Sequence, residues 1–269
     1  MPPTAKSRRH SLQAIGLIVL GLSILTTIPC WAAPPTGNSH FPGEKLLPRE
    51  AAGPAELTKI LYGNRSTINY PDNCGDAPCT VRAVASQIFK DDTGGSHAIL
   101  VTAAEPTPEN ANHINAAVLG MAWLSHTDKG WVLDLGSPEV VTAGDFGTAP
   151  DVTIIEGGVW GKAVVLQPTD LHQGQSSRAW QLFVPDRKRG TFVIGLNIPT
   201  MVESAGACMD DPPSAACLKD DFSTKVSLST EQDGITVVAV TSYPTVLRKR
   251  DQTKTYHVTR AGLGRLPAR

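Results

Sequence analysis

The residues best suited to chemistry lie in one glycine-rich stretch, from Gly136 to Gln175. It holds Gly144-Asp145-Phe146-Gly147-Thr148-Ala149-Pro150-Asp151, then Glu156-Gly157-Gly158-Val159-Trp160-Gly161, then Asp170-Leu171-His172-Gln173-Gly174. Acids, an aromatic and a histidine set among glycines suit a loop-built ligand site, because glycine lets backbone approach a ligand closely. Asp145, Glu156, Trp160 and His172 are the residues expected to line such a site. Asp145 and Glu156 could act as an acid–base pair in hydrolysis if both face one cleft within roughly 5–10 Å of each other. The competing expectation is that these segments are turns of a twisted sheet, with Phe146 and Trp160 as core anchors.

Other chemistries find little support. There is no Gly-x-Ser-x-Gly elbow, and Ser176-Ser177 after Gly174-Gln175 lacks the closing glycine. Ser96 and His97 are neighbours in an expected strand, so their side chains point to opposite faces. His40, His97, His113, His126, His172 and His257 are scattered, with no His-x-His or His-Glu-x-x-His pair. His97 shares a strand face with Ile99 and Val101, which makes it a core-edge histidine. Asp91-Asp92-Thr93-Gly94-Gly95 and Asp210-Asp211 lack the alternating acids and terminal Glu of a calcium loop. The phosphate-cradling Gly-x-x-x-x-Gly-Lys-Ser/Thr is missing too. No metal and no cofactor is expected.

The chain opens on an export address. Lys6, Arg8, Arg9 and His10 precede an apolar run from Ala14 to Ile28 and the small-residue site Cys30-Trp31-Ala32-Ala33. That order is the layout of a secretory signal peptide over 1–32, with cleavage after Ala32. The apolar core, about fifteen residues, is shorter than the ~20 that span a bilayer. Ser7-Arg8-Arg9-His10-Ser11-Leu12 partly matches a twin-arginine signal but lacks its aromatic and following Lys, so the Sec route is expected. The mature chain should sit in the periplasm or be secreted, without stable membrane insertion.

Cleavage removes three basic and no acidic residues, leaving 21 against 25, a net charge of −4. That balance argues against a nucleic-acid groove, which needs a basic field over phosphates. The one basic cluster, Arg248-Lys249-Arg250, runs into Asp251 and reads as a solvated strand end. Four cysteines remain, and in an oxidising compartment they are expected as disulfides. Cys74 with Cys79 and Cys208 with Cys217 is the expected pairing, since each pair brackets a Pro-containing loop.

The elements that must position these residues are mostly strands. Residues 33–53, rich in Pro and Gly, read as a flexible leader. A short helix follows from Pro54, with Leu57, Ile60 and Leu61 on one face and Gly63 past its end. The remaining chain, 54–269, reads as a single β-rich domain. Runs of β-branched and aromatic residues meet Gly-containing turns near 94, 130, 190 and 234, which is the hairpin signature. Asp233-Gly234 is expected to form a tight primed turn, a strand pair is expected across 152–168, and a last strand over Lys254 to Thr259. A second helix is expected over Glu109 to Leu119, from Ile114, Ala117 and Val118 at helical spacing, ended by Gly120. The fold class is mainly β: an antiparallel sandwich or distorted barrel of consecutive hairpins with one or two short helices. The uneven hairpin spacing ranks a propeller-like arrangement second.

The expected function is a non-enzymatic envelope binding module for a protein or glycan partner, of the inhibitor or immunity-like kind. The alternative is a hydrolase of envelope polymers using paired carboxylates.

Overall fold

The computed structural model describes residues 52–111, 115–208 and 214–265. The expected signal peptide, and the leader up to Ala51, lie outside them. Among the described residues the fold has two antiparallel sheets and two short α-helices. Helix α1 spans Pro54–Tyr62, starting with proline at its first position as expected. A five-stranded sheet runs in chain order, β1 (Thr67–Ile68), β2 (Cys79–Lys90), β3 (Ser96–Glu105), β4 (Ala117–Thr127) and β5 (Gly130–Ala143), with helix α2 (Pro71–Cys74) between β1 and β2.

The second sheet holds nine strands. They are β6 (Asp151–Gly158), β7 (Gly161–Gln167), β8 (Thr169–His172), β9 (Gln175–Asp186), β10 (Thr191–Glu203), β11 (Phe222–Glu231), β12 (Gly234–Ser242), β13 (Gln252–Thr259) and β14 (Gly262–Arg265). Their order is β14-β13-β12-β11-β10-β9-β7-β6, with β8 paired to β9. This sheet curls into a half-barrel, so that β6 returns to the β11–β12 hairpin. Thr230 donates its hydroxyl to the Glu156 carbonyl at 3.1 Å, and a side chain at Gly158 would overlap the Glu231 carbonyl. The mainly β sandwich-like expectation is met, and the two-sheet arrangement excludes the propeller.

Both faces of the central strands are buried, which explains their unbroken apolar runs. Ile99, Val101, Leu119, Met121 and Trp123 face the half-barrel and pack on Val164, Leu166, Phe183 and Phe192. Ala98, Leu100, Ala122 and Leu124 face the other way, onto Leu57, Ile60 and Leu61 of α1. Inside the curl, Ala163, Val165, Trp180, Leu182, Leu196, Ile235 and Val237 form a separate core.

Three expectations are corrected. The helix over Glu109 to Leu119 is not formed. Thr107 to Ala111 is a turn, residues 112–114 lie outside the described ones, and Ala117 already begins β4. Apolar residues filling both faces of a strand mimic helical spacing over a short window. Gly120 is mid-strand, where a Cβ would meet Thr102 Oγ1 and the Tyr62 hydroxyl at 2.6 Å. The turn near 234 is made by Gln232 and Asp233, because Glu231 pairs with Gly234. Gly234 is needed for the close approach of the Val258 carbonyl, which a side chain would overlap.

Candidate functional site

The four residues singled out in the sequence go to separate places. Asp145 sits in the β5–β6 connection, where it bridges Thr148. Glu156, on β6, is ion-paired with Lys162 of β7 directly opposite. Trp160, in the β6–β7 turn, packs against the core inside the half-barrel. His172 ends β8 and is exposed beside a turn where Gln173 and Gly174 take positive φ. Among the described residues no hydrogen bond or ion pair joins any two of the four. Phe146, the other expected core anchor, is instead 48 % exposed.

Strand register builds a different cluster. His97 lies opposite Ser125 across β3 and β4. Ser125 Oγ is 2.9 Å from His97 Nδ1, and His97 Nε2 is 3.0 Å from Asp91 Oδ2. The Trp123 indole N–H points at His97 Nδ1 from 3.4 Å. Asp91 is fixed by its own turn, with Oδ1 accepting the Thr93 N–H at 2.9 Å, the Thr93 hydroxyl at 2.7 Å and the Gly95 N–H at 2.8 Å. The Thr93 hydroxyl first, then His97 and the Gly95 N–H, hold the Asp91 carboxyl well below the ordinary range.

The fourth member comes from a bulge. The β4–β5 register slips between Trp123 and Leu124, so that Leu133 and Leu135 take partners and Asp134 has none. The extra residue re-aims its carboxylate, as bulges do, and it accepts the Ser125 hydroxyl. A Ser–His–Asp chain is thereby assembled with a second carboxylate against its serine.

The cluster sits beside the half-barrel. Phe89 meets Trp123 edge-on at 5.2 Å between ring centroids, and Lys162 Nζ lies 5.4 Å from the Phe89 centroid. The Lys162 side chain is 7 % exposed and is neutralised by Glu156. Gly161 leaves room for the Trp123 ring edge, 3.2 Å from where a Cβ would stand.

Sequence reading missed the His97–Ser125 pair for a physical reason. Alternation places His97 and Ile99 on one face, and Trp123 and Ser125 on one face. The connection between β3 and β4 spans 106–116, too long for turn geometry to set register as a tight hairpin loop does. Nothing local announces the bulge at Asp134.

The disulfides are Cys74–Cys79 and Cys208–Cys217, with Cα–Cα distances of 5.6 and 6.0 Å. Cys74 and Cys79 are buried with Ala104 and Val118 in a small core, while Cys208 and Cys217 are half-buried. Among the described residues no group of three or more His, Cys, Asp or Glu is arranged to hold a metal. No helix among them is long and apolar enough to cross a membrane.

A cleft of about 370 Å³ lies where α1 meets β1, lined by Leu61, Tyr62, Arg65, Ile68 and Pro138. The Tyr62 hydroxyl donates to the Pro138 carbonyl at 3.0 Å, and burial raises its pKa. Burial, then the neighbouring Tyr62 and Glu139, pushes the Tyr70 phenol up to about 12. No family model matches this chain, and no curated protein or solved structure is significantly similar to it.

Proposed function

We propose that this chain is an exported, non-enzymatic binding module of the bacterial envelope, a β scaffold whose loops engage another macromolecule. What carries this reading over a hydrolase is the surroundings of the Ser125–His97 pair. The Ser125 hydroxyl is given to the Asp134 carboxylate, which lies beside the atom that would have to attack. An acyl transfer builds negative charge near the nucleophile and needs donors aimed at it, whereas a carboxylate there opposes it. The paired-carboxylate version is weakened likewise, since Glu156 is ion-paired with Lys162 and Asp145 is held in another turn. Two features support binding directly. The Cys208–Cys217 disulfide lies outside the hydrophobic clusters and joins two described segments, and the Asp221 carboxylate accepts the Ser204 N–H at 3.1 Å. Covalent and hydrogen-bonded ties of this kind reduce the entropy that the tied segments lose on binding.

The export signal over 1–32 and the leader over 33–53 belong to the same proposal, with the periplasm or the exterior as the destination. The test uses the full chain collected after export and oxidised. Exposure to a fluorophosphonate probe should leave Ser125 unlabelled, and Glu156→Gln should leave binding of envelope material unchanged. Stoichiometric labelling of Ser125 that disappears in His97→Ala would replace the binding reading with an acyl-transfer enzyme.

A further inference from the structure

We infer that the knuckle at 144–150 is a docking anchor: Phe146 enters an apolar pocket, rimmed by basic side chains, on a protein partner. The inference rests on the binding-module reading and names the surface and the kind of partner.

Three non-glycine residues take positive φ among the described residues, Phe146 at 49°, Gln173 at 49° and Arg248 at 48°. The other two are polar turn residues. A bulky side chain is disfavoured in this region, and Asn or Gly would hold the same turn at lower cost. Phe146 is 48 % exposed and lies outside every hydrophobic cluster of the described residues, so core packing does not offset that cost. A strained residue persists only where its surroundings over-determine it, and such residues concentrate at functional positions.

The surroundings here do over-determine it. Gly144 and Gly147 flank Phe146 at φ 96° and 71°. A side chain at Gly147 would overlap the Pro106 ring, and one at Gly144 the Thr148 carbonyl. The Gly147 N–H donates to the Asn115 carbonyl at 2.9 Å, and the Thr148 N–H to the Asp145 carbonyl at 2.9 Å. The Ala149 N–H donates to Glu105 Oε1 at 2.8 Å, and Glu105 is itself gripped by Arg82 through two bonds of 2.6 and 2.7 Å. The aromatic ring is therefore presented from a platform that is already rigid, as a hot-spot residue should be.

Charge selects the partner. Asp145 precedes Phe146, Asp151 follows the knuckle, and Glu109 lies on the turn that packs beside Gly147 through Ala111. None of these three carboxylates is in an ion pair among the described residues. An aromatic tip carried on a segment rich in unpaired acids complements an apolar pocket with Lys and Arg at its rim.

The experiment immobilises the full oxidised chain and passes the native envelope extract over four forms: wild type, Phe146→Asn, Phe146→Trp, and Asp145→Lys with Asp151→Lys. Wild type and Phe146→Trp should retain one stoichiometric protein. Phe146→Asn should weaken retention by roughly thirtyfold or more without lowering Tm, because asparagine accepts this backbone. The double charge reversal should weaken it by about tenfold at low salt, with the difference shrinking as salt is raised. If wild type retains a protein and Phe146→Asn retains it equally, the anchor is wrong while the binding-module reading stands. If no form retains anything, both fall. Retention that depends on Phe146 but survives digestion of the extract's proteins and is lost on glycan removal assigns the knuckle to a glycan and overturns the protein pocket.

Discussion

Two parts of this molecule hold residues that a chemist would notice, and they hold them in opposite ways. At the end of the β3–β4 pair, His97, Ser125, Asp91 and Asp134 are drawn together by register and a bulge, and hydrogen bonds link Asp91 to His97, His97 to Ser125 and Ser125 to Asp134. At the 144–150 knuckle, an aromatic side chain is held outward, in a conformation that suits glycine, by bonds that all belong to its neighbours. The first region has the residue types of catalysis and the wiring of a structural network. The second has a residue type usually taken for core and the wiring of a display platform. On the proposed reading, residue identity alone assigns the two roles the wrong way round.

The comparison can be broken first at the aromatic that backs the closed network. Trp123 fills the space between Phe89 and Gly161. Trp123→Ala should cost about 3–5 kcal/mol in denaturant unfolding, as for other large core truncations. A loss under 1 kcal/mol would mean the network end is not part of the core.

Gly147→Ala is expected to come next, at about 2–3 kcal/mol, since it adds a methyl against Pro106 at a φ that L residues avoid. It should also weaken binding by disturbing Phe146. Unchanged stability would show that the platform is soft. Ser125→Ala should cost about 1 kcal/mol, the ordinary net worth of one hydrogen bond, with binding intact. Phe146→Asn should stay within about 0.5 kcal/mol of wild type or above it, because strain is removed and no core packing is lost.

The smallest effects concern pH. Tyr70 ionises near pH 12 in the folded chain against 10 ordinarily, so folding favours its protonated form. That contribution is complete below pH 10 and fades as pH rises toward 12, and Tyr70→Phe should flatten this limb of the stability curve. Asp91 behaves with the opposite sign. Its folded carboxyl is depressed, so its contribution is complete above the ordinary carboxylate range and fades as pH falls below it. The gap in Tm between wild type and Asp91→Asn should therefore narrow on acidification below about pH 4. A gap that widened would remove Asp91 from the network.

How much of this was legible in the sequence depends on range. Local signals carried most hairpins: the Asp186-to-Gly190 turn, the β6–β7 pair, and α1 with its proline start all fall where composition and spacing place them. The local disulfide pairs were legible in the same way. The failures came where a side chain's neighbour lies far along the chain. Ala117 and Val118, at helical spacing from Ile114, looked helical because both faces of β4 are covered, by α1 and α2 on one side and the half-barrel on the other. Gly234 looked like a turn glycine, yet its constraint is the Val258 carbonyl on the next strand. The 144–151 segment was rightly noticed for its glycines, but its most informative residue, Phe146, was read as core. The sign of its φ depends on Asn115, Pro106 and Glu105, which no local pattern shows.

The most direct measurement pairs Tm with partner retention in two variants, Ser125→Ala and Phe146→Asn, side by side with wild type. We expect a crossed result: Ser125→Ala melts lower and binds as well, while Phe146→Asn melts as high or higher and loses binding. The reverse crossing, with function lost at Ser125 and untouched at Phe146, would contradict the division of roles between the two regions and make the His97 cluster the working site.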